Sequence, residues 1–225
     1  MTFKFSKQTF DGYTVHEPIS DLFIIEEFLT LDEQKTLIDF INSLTQEDWE
    51  TEYRENLKSF CLLKFGTDDV AKLVQDGKFE VTENWSDKNF NLIKNGNEKI
   101  KEICFNLTKK VNSFLPNSIE IKGPGTAQRQ YAGVPLKAHY DQYTDPSIQF
   151  AAIIYLNDDY IDGELFFPNK NFTIKPPIRS LVIFPGTEDF THGVNAPGEG
   201  PIRYVLPSFI SKKGFYNSGK YYVEN

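Results

Sequence analysis

The chain has 225 residues, 40% of them hydrophobic and 25% charged, and a formal net charge of −8. This is ordinary globular composition, long enough for one large domain with its own core, and the acidic balance argues against a nucleic-acid-binding surface, which needs a basic patch. Two cysteines, Cys61 and Cys104, are too few for a disulfide framework, and with neither a signal peptide nor a membrane span in view the expectation is a cytoplasmic protein with reduced thiols.

In chain order, Phe3 and Phe5 alternate as an edge strand would. His16 reads as a solvated or half-buried tail histidine rather than a ligand, because no carboxylate stands two residues from it. Ile24-Ile25 then leads into Thr30-Leu31-Asp32-Glu33, a capping box with Thr30 as N-cap. Leu37, Ile41 and Leu44 follow at helical spacing, which predicts an amphipathic helix over 31–44. Residues 45–95 are polar and broken by Gly66 and Gly77, and Trp85 lies there either as a substrate contact or as a plug at the edge of a core. From Asn97 onward, Ile100, Ile103, Cys104, Leu107, Val111 and Phe114 form one stripe, with Pro116 expected to end the helix. Such a stripe packs on a sheet and carries no chemistry.

From Ile119 the texture changes to short strands at 119–122, 126–132, 135–141, 148–157, 163–168, 171–176, 179–185, 188–194 and 201–211. Asn157-Asp158-Asp159, Asp162-Gly163, Pro185-Gly186 and Pro197-Gly198-Glu199-Gly200-Pro201 supply turn chemistry between them. Strands this short and frequent indicate a jelly roll rather than a parallel α/β sheet. The expected fold is mainly β with flanking helices (α+β): a double-stranded β-helix with N-terminal helices packed on the sheet. No repeat or linker divides the chain, so a single domain over 1–225 is expected, with helical support and a lid region in 1–118 and the β-helix core in 119–211.

The chemistry gathers at His139-Tyr140-Asp141. On a strand, His139 and Asp141 point to one face and Tyr140 to the other. The later His192 supplies a second imidazole, and two histidines with one carboxylate form the facial triad that suits Fe(II). Arg203 lies beyond the turn Asn195 to Pro201; a hairpin centred near Gly198 would set it almost opposite His192. A guanidinium inside a barrel is costly unless it meets an anion, and its planar fork suits a carboxylate. No carboxylate of that hairpin is obviously placed to serve, which makes a ligand a candidate for the anion.

The ordered set His139, Asp141, His192 and Arg203 resembles the Fe(II)/2-oxoglutarate-dependent oxygenases, and within them the prolyl 4-hydroxylase-like group. Gln130-Tyr131-Ala132-Gly133, Ala151 to Asn157, Gly163 to Pro168, Leu181 to Pro185 and Pro201-Ile202-Arg203-Tyr204 carry the resemblance. It covers 119–210 well and 21–44 loosely. It implies that His139, Asp141 and His192 ligate iron, and that Arg203 pairs with the distal carboxylate of 2-oxoglutarate. Tyr155 would bond that same carboxylate, and Tyr131 would line the cofactor or substrate side. Fe(II), 2-oxoglutarate and O2 are the implied cofactors, with ascorbate as reductant and succinate and CO2 as co-products. The implied substrate is a prolyl residue in a peptide or protein, with Tyr140, Tyr143 and Trp85 as candidate faces for its ring; a free amino acid or other small molecule is the alternative. One departure stands out: collagen-type relatives often place a tyrosine three residues before the first histidine, and this chain has Leu136.

Three other readings compete. Two histidines and an aspartate can simply hydrogen-bond in a β core, or the chain can be a non-catalytic β-roll binding module. A catalytic zinc site also accepts this ligand set, but it leaves Arg203 unexplained. A nucleic-acid demethylase of the same superfamily is disfavoured by the acidic charge and by Phe209, where that group tends to carry a second arginine.

Overall fold

The computed structural model describes residues 3–43, 50–51, 60–64, 98–121 and 126–213. Trp85 and nearly all of the lid region expected in 45–95 lie outside the described residues. Among the described residues the chain is mostly antiparallel strand, numbered here in chain order. One sheet runs β1 (Val15–Ile19), β2 (Leu22–Ile25), β11 (Leu181–Pro185), β8 (Ile148–Tyr155), β13 (Arg203–Lys212), β6 (Thr126–Gln130), β4 (Phe60–Lys64) and β3 (Glu50–Thr51), with β5 (Ile119–Ile121) also paired to β13. A smaller sheet runs β10 (Phe172–Ile174), β9 (Leu165–Phe167), β12 (His192–Val194) and β7 (Leu136–His139). The larger sheet recruits β1 to β4 from before residue 118, so the N-terminal part supplies strands as well as helices.

Alternation along the strands divides the apolar side chains between two cores. Phe23, Ile25, Phe150, Ala152, Ile154, Leu181, Ile183, Leu206 and Ile210 face the helices. Their alternates Leu22, Ile24, Ala151, Tyr155, Val182, Phe184 and Val205 face the smaller sheet, where Leu165, Phe167 and Val194 meet them. Each valine, leucine, isoleucine or phenylalanine side chain among them, fully buried, contributes about 1.5–3 kcal/mol relative to exposure. Two facing antiparallel sheets with helices on the outside are the expected jelly roll.

Helix α1 (Leu31–Ser43) buries Leu37 and Ile41. Its capping box is formed as expected: Thr30 N donates to Glu33 Oε2 at 2.8 Å and Glu33 N donates to Thr30 Oγ1 at 3.2 Å. Helix α2 (Glu98–Asn112) buries Ile100, Ile103, Cys104, Leu107 and Val111. It ends before Pro116, where Phe114 N and Leu115 N tighten onto the carbonyls of Val111 and Asn112. The Asn112 side-chain amide bonds both the Ile121 carbonyl (3.0 Å) and the Ile121 N–H (2.8 Å), tying the helix exit to β5. Phe3 and Phe5 form no strand. Phe5 stacks on Phe10 with centroids 5.3 Å apart and meets Phe150 edge-on at 4.8 Å, so aromatic burial replaces strand pairing and β1 takes the sheet edge. His16 on β1 is exposed and lies 3.0 Å from Glu26. Among the described residues no helix is long and apolar enough to cross a membrane.

Candidate metal centre

His139 ends β7, His192 begins β12, and the two are directly paired across the antiparallel ladder. Their rings consequently lie 4.6 Å apart, centroid to centroid, inclined at 49°. This approach depends on Gly193. A Cβ there would stand 2.6 Å from the Leu136 carbonyl oxygen and 2.6 Å from Phe166 Cζ, so any side chain would force β7 and β12 apart.

Asp141 is not on the strand that the spacing predicts. Tyr140 remains extended (φ −127°, ψ 142°), and Asp141 opens the short helix α3 (Asp141–Thr144). The backbone leaves the sheet here because Gln142 N bonds the Gly186 carbonyl at 2.9 Å and Asp145 N closes onto Asp141 O at 3.1 Å. The extended Tyr140 still places His139 and Asp141 together, with Nε2 and Oδ1 3.9 Å apart.

The ring orientations follow from local bonds. His139 Nδ1 lies 2.9 Å from the Lys137 carbonyl and His192 Nδ1 lies 3.0 Å from the Phe190 carbonyl. A carbonyl only accepts, so each Nδ1 carries the proton and each Nε2 keeps its lone pair. His192 is packed against Phe184 (4.6 Å) and Phe167 (6.0 Å) in the core between the sheets. That burial, with His139 beside it, pushes its pKa down to about 3, so the imidazole is neutral. Burial pushes the Asp141 carboxyl up to about 7.

Ligand atoms of His139, Asp141 and His192 gather within 4.8 Å of one another. Asp141 Oδ2 is buried and has no hydrogen-bond partner. A buried, unsatisfied carboxylate oxygen beside two imidazole lone pairs suits a divalent cation, and the two-nitrogen, one-carboxylate set without thiolate is the one favoured by Fe(II). The residues therefore fit the metal that the sequence pattern implies.

Arg203 begins β13 in the larger sheet, whereas His192 lies in the smaller one, so the expected hairpin does not form. The turn between them is drawn off instead: Pro197 accepts from Gly133 N (2.8 Å) and bridges to Asp162, and Gly198 N donates to Ile161 O (2.9 Å). Arg203 is 1% exposed and faces the core between the sheets. One terminal nitrogen donates to Gln130 Oε1 (3.2 Å) and the other to the Tyr155 hydroxyl (3.1 Å), while its Nε has no partner. Among the described residues no carboxylate pairs with it. Gln130, which the sequence pattern gave no reason to single out as a contact of Arg203, stands opposite it in the β13–β6 ladder. Its amide is fixed by donating to Val134 O at 2.5 Å.

Of the expected tyrosines, Tyr155 reaches Arg203. Tyr131 packs with the helix-side core, and the Arg129 guanidinium lies 5.4 Å from its ring centre. Tyr140 and Tyr143 stand beside the metal motif with rings edge-to-face at 5.8 Å, and Tyr143 is 80% exposed. Tyr160, which the sequence pattern did not single out, is buried with its ring 5.7 Å from the Arg203 guanidinium carbon.

Comparison with known proteins bears on this geometry directly. The 2OG-Fe(II) oxygenase superfamily matches residues 126–211, a stretch that holds His139, Asp141, Tyr155, His192 and Arg203. No curated protein sequence matches the chain. Among solved structures, the fold resembles the viral collagen prolyl hydroxylase of Paramecium Bursaria Chlorella virus-1 bound to 2-oxoglutarate (TM-score 0.54, 15% identity, covering 86% of this chain and 96% of that one). It also resembles a Trichoplax adhaerens prolyl hydroxylase bound to a hypoxia inducible factor peptide (TM-score 0.55, 16% identity, 86% and 84% covered). The alpha ketoglutarate dependent epimerase SnoN from nogalamycin biosynthesis is similar too (TM-score 0.52, 11% identity, 86% and 78% covered).

Proposed function

We propose that this chain, which carries a 2OG-Fe(II) oxygenase superfamily domain over residues 126–211, is a dioxygenase that hydroxylates a C–H bond of a prolyl residue in a peptide or protein. One observation carries the oxygenase reading: a two-histidine, one-carboxylate cluster shares the inter-sheet core with a buried arginine that has no carboxylate partner among the described residues. A zinc hydrolase accounts for the cluster and leaves the arginine without purpose.

In this reading His139 and His192 would hold Fe(II) through Nε2, and Asp141 through its carboxylate. When bound, the metal supplies activation of O2 coupled to conversion of 2-oxoglutarate into succinate and CO2, with ascorbate maintaining the ferrous state. The protein's own part is placement. Lys137 and Phe190 carbonyls lock the imidazole tautomers, and Gly193 permits the close approach of their strands. Arg203, oriented by Gln130 and Tyr155, would receive the distal carboxylate of 2-oxoglutarate in a site from which water is largely excluded.

The likeness in fold alone does not select the substrate, since SnoN shares it with two prolyl hydroxylases. What supports a peptide is the Tyr140–Tyr143 pair flanking Asp141 in the chain, with Tyr143 exposed and free to offer an aromatic face to a proline ring. Mass spectrometry of proline-rich peptides incubated with the protein, Fe(II), ascorbate and 2-oxoglutarate tests it. Addition of one oxygen to a prolyl residue is expected; addition to a free amino acid or metabolite, with none on any peptide, would transfer the assignment to a small molecule.

A further inference from the structure

We propose that Tyr160 is a further donor to the ligand carboxylate at Arg203, so that the site reads the far end of a 2-oxo diacid through two tyrosines and the arginine. This rests on Arg203 being the anchor of 2-oxoglutarate.

The ground is a pair of buried orphans in one place. No group stands at full hydrogen-bond geometry to either the Tyr160 hydroxyl or Arg203 Nε, both buried. The Arg203 guanidinium is near enough to oppose the effect of burial on that hydroxyl, as it does at Tyr155. It can only donate toward it, leaving the Tyr160 proton to give. Tyr160 is 1% exposed, and the Arg203 guanidinium carbon lies 5.7 Å from its ring centre and 5.1 Å from that of Tyr155. Buried polar groups are rarely left unsatisfied, and two beside one guanidinium call for a common partner. Tyr155 accepts from Arg203 through an oxygen lone pair, which leaves its own proton to donate. Burial is the largest influence on both hydroxyls and pushes both above the usual tyrosine range, so each keeps its proton. The groups presented are therefore an N–H and two O–H donors. The complement is a group that only accepts, and a carboxylate does so through two oxygens.

Tyr160 is held in this place. Lys175 donates to its backbone carbonyl, and the Lys175 ammonium sits 4.5 Å from its ring centre. Gly163, at φ +69°, closes the loop beneath it; a Cβ there would come within 3.2 Å of Tyr160 Cδ2 and 3.3 Å of Pro197 Cγ. The ring is thus walled in, with its hydroxyl proton still to be accepted.

The test is isothermal titration of the full chain loaded with Mn(II), using 2-oxoglutarate and 2-oxopentanoate, which carries a methyl group in place of the distal carboxylate. Tyr160→Phe keeps the ring and removes only the donor. Its Kd for 2-oxoglutarate should rise about tenfold or more, as for loss of a hydrogen bond to a charged group, while that for 2-oxopentanoate stays at the wild-type value. Equal weakening of both ligands would mean general loosening of the pocket and would overturn the proposal. So would wild-type affinity for 2-oxoglutarate in Tyr160→Phe when Arg203→Ala is weakened; the anchor would then stand without Tyr160. Wild-type affinity in Arg203→Ala as well would remove the anchor and this inference together.

Discussion

His139 and His192 are held in the same way from opposite strands. Each Nδ1 is bonded to the carbonyl two residues earlier, Lys137 or Phe190, and the two rings meet at 4.6 Å. Two preset imidazoles facing one buried carboxylate lose little freedom on binding a metal. Anaerobically reconstituted protein should take up stoichiometric Fe(II) by metal analysis, and His139→Ala or His192→Ala should abolish it. Stoichiometric Fe(II) in either variant would place the metal elsewhere.

Gly193 controls how closely those strands approach. Gly193→Ala sets a methyl group against the Leu136 carbonyl, a backbone atom that cannot swing aside. Overpacking of this kind costs about 1–3 kcal/mol. The variant should unfold at lower denaturant concentration and bind Fe(II) more weakly, measured by chemical denaturation and metal titration.

Arg203 is buried and bonded to Gln130 and Tyr155, with its third donor position unsatisfied. Breaking a buried charge pair typically costs about 3–5 kcal/mol, so Arg203→Ala should weaken 2-oxoglutarate binding by two orders of magnitude or more. Arg203→Lys should recover only part, because an ammonium cannot reproduce the planar fork. Titration of the Mn(II)-loaded variants checks both.

Much of this arrangement was legible in the sequence, because the information was local. Thr30 and Glu33 form their box three residues apart, the α2 stripe repeats at helical spacing, and polar turns bracket each strand of the roll. Less legible was whatever depended on the path between sheets. Asn195 to Pro201 looks like a hairpin, yet contacts from Gly133, Ile161 and Asp162 carry the chain from the smaller sheet to the larger. The chain leaves its strand at Asp141 as Gln142 N bonds the carbonyl of Gly186, distant in sequence. Gln130 and Tyr160 resemble an ordinary strand glutamine and a turn tyrosine until the ladder and the loop bring them to Arg203.

Cys104 lies in the helix-side core, and burial pushes its thiol from 9.0 up to about 12. A raised pKa in the folded state means that the thiol contributes full stability below its unfolded pKa and loses it as pH rises toward 12. Iodoacetamide at pH near 8.5 should therefore leave Cys104 unmodified in native protein and alkylate it after unfolding in urea, as read by peptide mapping. Above pH 9, wild type should lose stability more steeply than Cys104→Ala.

The most direct test of the oxygenase reading is succinate release from 2-oxoglutarate by purified protein with Fe(II), ascorbate and O2, since uncoupled turnover requires no knowledge of the substrate. The account predicts succinate formation that depends on both Fe(II) and O2 and disappears in His192→Ala. Iron-loaded wild-type protein that binds 2-oxoglutarate yet forms no succinate, alone or with any candidate peptide, would contradict it and leave a binding module in place of an enzyme.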